Sequence, residues 1–144
     1  MESFDAVIVG GGPAGSTCAR ALTTAGMKIA VLDKASFPRD KVCAGWITPQ
    51  VVETLHLDTQ EYSQGRTFQP ITAFVTGLGH EAATNVSYDG AVSYGIRRSE
   101  FDHYLLQRSG AALKLGEPLK TIHRDGQEWL LNDAVRAPLL IGAG

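Results

Sequence analysis

The chain has 144 residues, 44% of them apolar and 19% charged, with a formal net charge of −2. That length suits one domain, and the near-neutral balance with scattered Lys and Arg argues against a nucleic-acid partner. Cys18, Cys43 and four dispersed histidines make neither a disulfide framework nor a metal site. No apolar run approaches a membrane span, and the apolar start at Ala6 has no basic leader, so a cytoplasmic location is expected, with peripheral membrane contact left open.

A short apolar strand, Ala6–Val9, runs straight into Gly10-x-Gly12-x-x-Gly15. A helix-period segment follows, and a second apolar strand, Lys28–Leu32, then ends on Asp33. Each part has a physical job in holding a dinucleotide. Gly10 permits the tight turn off the strand, and Gly12 lets backbone approach a pyrophosphate with no Cβ in the way. Gly15 lets the helix pack closely on the strand. The helix N-terminus, at Pro13 and Ala14, brings free N–H groups and partial positive charge to the phosphates. Asp33 is placed to accept hydrogen bonds from ribose hydroxyls and to repel a 2′-phosphate, which disfavours NADP.

The first helix is predicted over Pro13–Ala25, with Pro13 in the first turn and Gly26 as C-terminal cap. Ala14, Cys18, Ala21, Leu22 and Ala25 form its small-residue face, and Cys18 is expected in the core. Lys34–Pro49 is irregular and rich in Pro and Gly. Thr48 reads as the N-cap of a short helix to about Leu55, with Pro49 in its first turn. Thr67–Tyr94 reads as antiparallel strands broken by Gly77, Gly79 and Asp89-Gly90. Ser99-Glu100-Phe101-Asp102 resembles a capping box, Asp102 standing in for Glu, at the head of a helix that ends near Gly110. Ala112–Leu115 reads as a buried strand, Asp125-Gly126 as a hairpin turn between Leu119–Arg124 and Gln127–Leu131, and Val135–Ile141 as the last strand. Parallel strands at 5–9, 29–33, 112–116 and 138–142 with covering helices make an α/β fold. Ala137–Gly144 reads as a strand delivered into a glycine turn with more chain to come, so a fragment of a longer protein is expected.

Together with the opening motif, Phe37-Pro38-Arg39-Asp40-Lys41-Val42-Cys43-Ala44-Gly45 and Arg98-Ser99-Glu100-Phe101-Asp102-His103-Tyr104-Leu105 resemble the geranylgeranyl reductase family. That family belongs to the FAD-dependent oxidoreductases shaped like para-hydroxybenzoate hydroxylase, and the resemblance covers nearly the whole chain. It implies a Rossmann-like FAD-binding domain with inserted antiparallel strands, the substrate domain lying outside these residues. Gly10, Gly12, Gly15 and Asp33 would hold the ADP half of FAD, with Pro13, Ala14 and Lys34 completing that part of the site. Arg39, Cys43, Ala44 and Gly45 would run past the ribityl–flavin side, and Arg98 would lie near the pyrophosphate or ribityl chain. Ala44 stands where the family usually has glycine, which puts a positive-φ backbone there in doubt. Ile141–Gly144 looks like the start of a second flavin motif.

The family passes hydride or electrons through FAD to isoprenoid double bonds or quinone-like acceptors, and related enzymes hydroxylate or halogenate aromatic rings. The alternative is a module without activity that binds the ADP moiety of FAD or NAD. Against their functional readings, Cys43 can be an inert loop thiol, and Arg39 and Lys41 solvated loop charges. Trp46 is expected to be buried under a loop, and His103 to be a surface residue. No Ser/His/Asp arrangement or carboxylate pair argues for hydrolysis. A flavin supplies the electron chemistry itself, so poverty in catalytic side chains fits a flavoprotein.

Overall fold

The computed structural model describes residues 1–144. In chain order its elements are β1 (Glu2–Ser3), β2 (Ala6–Val9), α1 (Pro13–Thr24), β3 (Ile29–Asp33), β4 (Trp46–Ile47), α2 (Pro49–Thr54), α3 (Thr59–Ser63) and β5 (Gln69–Ile71). There follow β6 (Ala73–Thr76), β7 (Thr84–Ser87), β8 (Ser93–Gly95), α4 (Arg98–Gln107), β9 (Ala112–Leu115), β10 (Ile122–Asp125), β11 (Glu128–Leu131), β12 (Val135–Ala137) and β13 (Leu139–Gly142). They sort into two compact units, residues 1–40 with 101–144, and residues 41–100.

The first unit is built on a parallel sheet in the order β13-β2-β3-β9. These four strands are the ones expected from the apolar runs, and the chain has the α/β architecture read from the sequence. Central strands buried on both faces need near-continuous apolar sequence, which β2 and β3 supply. Alternate side chains divide between two clusters. Ala6, Ile8, Ile29 and Val31 pack with Ala19 of α1 and Leu106 of α4. Val7, Ala30 and Leu32 pack with Phe4, Leu131, Val135 and Ala137 on the other face. That second face is covered by a four-stranded sheet, β1-β12-β11-β10.

Several boundaries differ from expectation. Val135–Ile141 is two strands: Pro138, without an N–H, separates β12, paired with β1 and β11, from β13, paired with β2. β9 is exposed at Ala112 and Leu113 because it is a sheet edge, not the buried strand anticipated. In the β10–β11 hairpin Asp125 pairs with Glu128, so the loop is Gly126-Gln127, one residue later than the Asp-Gly reading. Gly126 has φ +59 and Gln127 does not share that sign, the pattern of a type II′ turn. The helix α4 starts at Arg98, so Ser99, read as its cap, lies within its first turn. Cys18 is only partly buried, against the helix-side cluster.

The second unit contains the antiparallel strands anticipated over 67–94, arranged as a three-stranded sheet β4-β8-β5 and a β6–β7 hairpin. Leu57, Tyr62 and Ile96 are buried, and the Phe68 and Tyr94 rings stack with centroids 4.4 Å apart. Thr48 occupies the N-cap of α2 in extended conformation, but its hydroxyl makes no capping bond. The helix α3 was not anticipated. Its signal was the Asp58-x-x-Glu61 spacing, and Asp58 Oδ1 accepts the Gln60 and Glu61 amides. Trp46 is half exposed and meets Phe74 edge-on, contrary to the expected burial under a loop.

The approach of α1 to β2 depends on Gly15, where an added Cβ would lie 1.8 Å from the Gly10 carbonyl oxygen. Gly15→Ala is expected to cost at least about 3 kcal/mol and lower Tm by roughly 6–12 °C. Gly12→Ala, whose Cβ would meet nothing nearer than Arg39 Nη2 at 3.6 Å, should leave Tm within about 2 °C. Thermal unfolding followed by circular dichroism separates the two; equal losses would mean that Gly15 is not the close contact.

Candidate functional site

In an open parallel sheet, ligands bind outside the carboxyl ends of the strands, where the strand order reverses. Here that point is β2: the chain passes from it to β3 on one side, while β13 flanks it on the other. Gly10 leaves β2 with φ +115, a conformation open to glycine, and donates its N–H to the Leu32 carbonyl at 2.7 Å. A Cβ there would also strike the Ala143 backbone at 2.6 Å. Gly12 is the N-cap of α1 and Pro13 its first residue. No acidic side chain occupies the first turn, so the early amides, including those of Ala14 and Gly15, present their partial positive charge unopposed. Ser16 is buried, its hydroxyl donating to the Gly12 carbonyl at 2.9 Å.

Asp33 closes the sheet end of this turn. Its Oδ2 accepts the Gly11 amide at 2.7 Å and its Oδ1 the Ala35 amide at 2.8 Å. Each carboxylate oxygen offers two lone pairs, so one on each remains for a further donor. Beside it opens a cleft of about 310 Å³ lined by Val9, Gly10, Leu32, Asp33, Lys34, Glu117, Pro118, Leu119 and Gly144. Apolar walls with a few polar groups at one end are the usual make-up of a small-molecule site. Glu117, Pro118 and Leu119 were missed in the sequence, which places them in an unremarked loop and strand start. Their signal is position, since they follow β9 at the carboxyl edge that β2 and β3 also reach.

Arg39 stands on the other side of the turn. Its Nη2 is the nearest atom, 3.6 Å away, to a Cβ built on Gly12. Its Nη1 lies 3.2 Å from Oδ2 of Asp102, a fully buried carboxylate, and its guanidinium covers the Phe37 ring at 4.7 Å. Asp102 is thus a site-facing residue where the sequence suggested a helix cap. Of the expected cofactor set, Gly10, Gly12, Pro13, Ala14, Gly15, Asp33, Lys34 and Arg39 belong to this unit and gather round one turn and cleft.

Cys43, Ala44, Gly45 and Arg98 belong to the 41–100 unit and form their own group. Cys43 is exposed. The Gly45 amide, foremost, and the Arg98 side chain donate to its sulfur and hold the thiol below its ordinary pKa. The positive φ in this loop falls on Gly45, at +78, and Ala44 is spared it. The alanine that departs from the family pattern therefore carries no backbone strain. Cys18 and Cys43 are both free, and no cluster of His, Cys, Asp and Glu could hold a metal ion.

The family model for FAD dependent oxidoreductases matches residues 5–85, more than half of the chain. The menaquinone reductase of Mycobacterium tuberculosis is 32% identical over 86% of this chain, which spans 32% of that protein. The geranylgeranyl diphosphate reductase of Rhodobacter capsulatus is 33% identical over 76% of this chain and 26% of its own length. A geranylgeranyl bacteriochlorophyll reductase-like structure from Thermoplasma acidophilum shares the fold at TM-score 0.79 and 21% identity, covering 99% of this chain and 39% of that one. The chain thus spans about a quarter to two fifths of the proteins it matches. It belongs to the FAD dependent oxidoreductase family and corresponds to that family's FAD-binding domain.

Proposed function

We propose that this chain binds FAD through its ADP half, in the cleft and turn at the carboxyl end of the parallel sheet. The observation that carries the reading is the meeting, at one open site, of the Gly12–Gly15 helix start with the free lone pairs of Asp33. The early α1 amides and Arg39 would receive the two phosphates, and Asp33 the ribose hydroxyls. Val9, Leu32, Pro118 and Leu119 would take the adenine. Lys34 and Glu117 stand at the polar end of the cleft. Cys43, Gly45 and Arg98 are assigned to the ribityl and flavin end on the strength of the resemblance. When bound, FAD supplies hydride or electron transfer; the protein residues bind and orient it.

For the longer protein we infer an FAD-dependent reductase acting on an isoprenoid or quinone-like substrate. Two of the relatives described above bear the names of such enzymes, and an isoprenoid chain is apolar. A cytoplasmic protein that touches a membrane surface fits that chemistry. No helix of this chain is long and apolar enough to cross a membrane.

Purification gives the first test. A yellow protein with near-stoichiometric flavin supports the reading, whereas a colourless one that binds ADP but not FAD supports a nucleotide-binding module alone. Gly12→Val should lower ADP affinity by at least about tenfold, roughly 1.4 kcal/mol, with unfolding unchanged; wild-type affinity in the folded variant would remove the phosphates from this turn. Asp33→Asn should weaken adenosine-containing ligands by about 1–3 kcal/mol by calorimetry.

The thiol group gives a pH test. Donors to the sulfur favour the thiolate, so its alkylation should reach half its limiting rate below the ordinary thiol value of about 8.5. Arg98→Met removes one of these donors and should shift the iodoacetamide profile of Cys43 upward. Superimposable profiles would show that Arg98 does not act on the sulfur.

A further inference from the structure

We propose that Asp102 is a positioning residue for Arg39, and that it sets the preference of the site for a diphosphate-bearing adenosine over adenosine itself. The inference rests on the ADP reading above and deepens it. Two contacts fix the Arg39 guanidinium and a third distance shows where its free edge lies. Nη1 lies 3.2 Å from Oδ2 of Asp102. The flat face of the group covers Phe37, its Cζ 4.7 Å from the ring centroid. Nη2 is left beside Gly12, nearest to the space where that residue lacks a side chain. The Phe37 ring also borders the turn, with Cε2 3.4 Å from a Cβ built on Gly11.

The chemistry of the pair explains why an arginine stands here. A planar fork can give one nitrogen to a buried carboxylate and aim another at a phosphate, which a single ammonium cannot do. Asp102 has no exposed side-chain surface. The ion pair with so deeply buried a carboxylate holds the guanidinium in one place. A flexible arginine would have to be ordered by the ligand; this one is ordered beforehand by the protein. The counter-charge also removes the excess positive charge of a lone arginine, so what Asp102 contributes is direction, not field strength.

The test compares ADP with adenosine on the full chain by calorimetry or ligand-observed NMR. The readout is the ratio of the two affinities, because general damage to the fold lowers both ligands together. Asp102→Asn should lower the ADP-to-adenosine ratio by about tenfold while adenosine affinity stays within about twofold. Arg39→Lys, which keeps the charge facing Asp102, should lower the ratio similarly, and the double variant should fall no further than the lower single variant. Should Asp102→Asn not fold, Asp102→Glu replaces it. It keeps the counter-charge but displaces the guanidinium by a methylene, and the same loss of ratio is expected. An unchanged or increased ratio in a folded Asp102 variant overturns the positioning role while leaving the ADP site standing. Wild-type chain that binds neither ligand overturns the site, and the inference with it.

Discussion

The contact between Gly15 and the carbonyl of Gly10 leaves no room for a methyl group, and the rest of the unit is arranged around that closeness. It lets the start of α1 sit directly over the end of β2, so the unpaired amides of the helix open where the sheet is interrupted. With any larger residue the helix would have to rise off the strand, carrying those amides away from the crevice. The small and medium side chains that line the seam, Ala6, Ile8 and Ala19, are consistent with the same demand. Packing and the exposure of the first helix amides are here one constraint.

Around that turn the charges are sorted. Asp33 places a carboxylate at the sheet end, beside the cleft, while Arg39 places a guanidinium at the helix end, beside Gly12. On the proposed reading, a ligand with a polar sugar and a diphosphate would be oriented by these opposite charges on opposite sides of one loop. Asp33 also holds the loop itself, because its Oδ2 accepts the Gly11 amide. The shape of the glycine turn and the placement of the acid are in this way coupled through a single side chain. Part of the carboxylate's charge is taken up by its two backbone donors.

What could be read in the sequence was what depends on neighbours along the chain. Gly10, Gly12, Gly15 and Asp33 are spaced by the geometry of one strand, one turn and one helix, so their pattern survives in one dimension. The parallel strands were legible for a similar reason, since burial on both faces leaves continuous apolar runs. Asp102 was not legible. At the head of a helix, Ser-x-x-Asp has an adequate local explanation as a cap, and only the fold brings Arg39 to it from across the chain. The break at Pro138 was likewise hidden, because Val135–Ile141 is apolar enough for one strand and only the pairing partners show two. Glu117 to Leu119 carry no motif at all; their place in the cleft comes from the order of strands in the sheet.

The relatives that share this stretch bear names for different reactions, yet they share it at similar identity and over a minor part of their length. A segment common to enzymes with different substrates can hold what those enzymes have in common, and the features resolved here are of that kind. They are a glycine turn at a helix start, an acid at the end of a strand and an apolar cleft of about 310 Å³. Nothing in that set discriminates an isoprenoid chain from a quinone ring. Specificity of that sort requires apolar surface shaped to the substrate, and fold alone does not supply it.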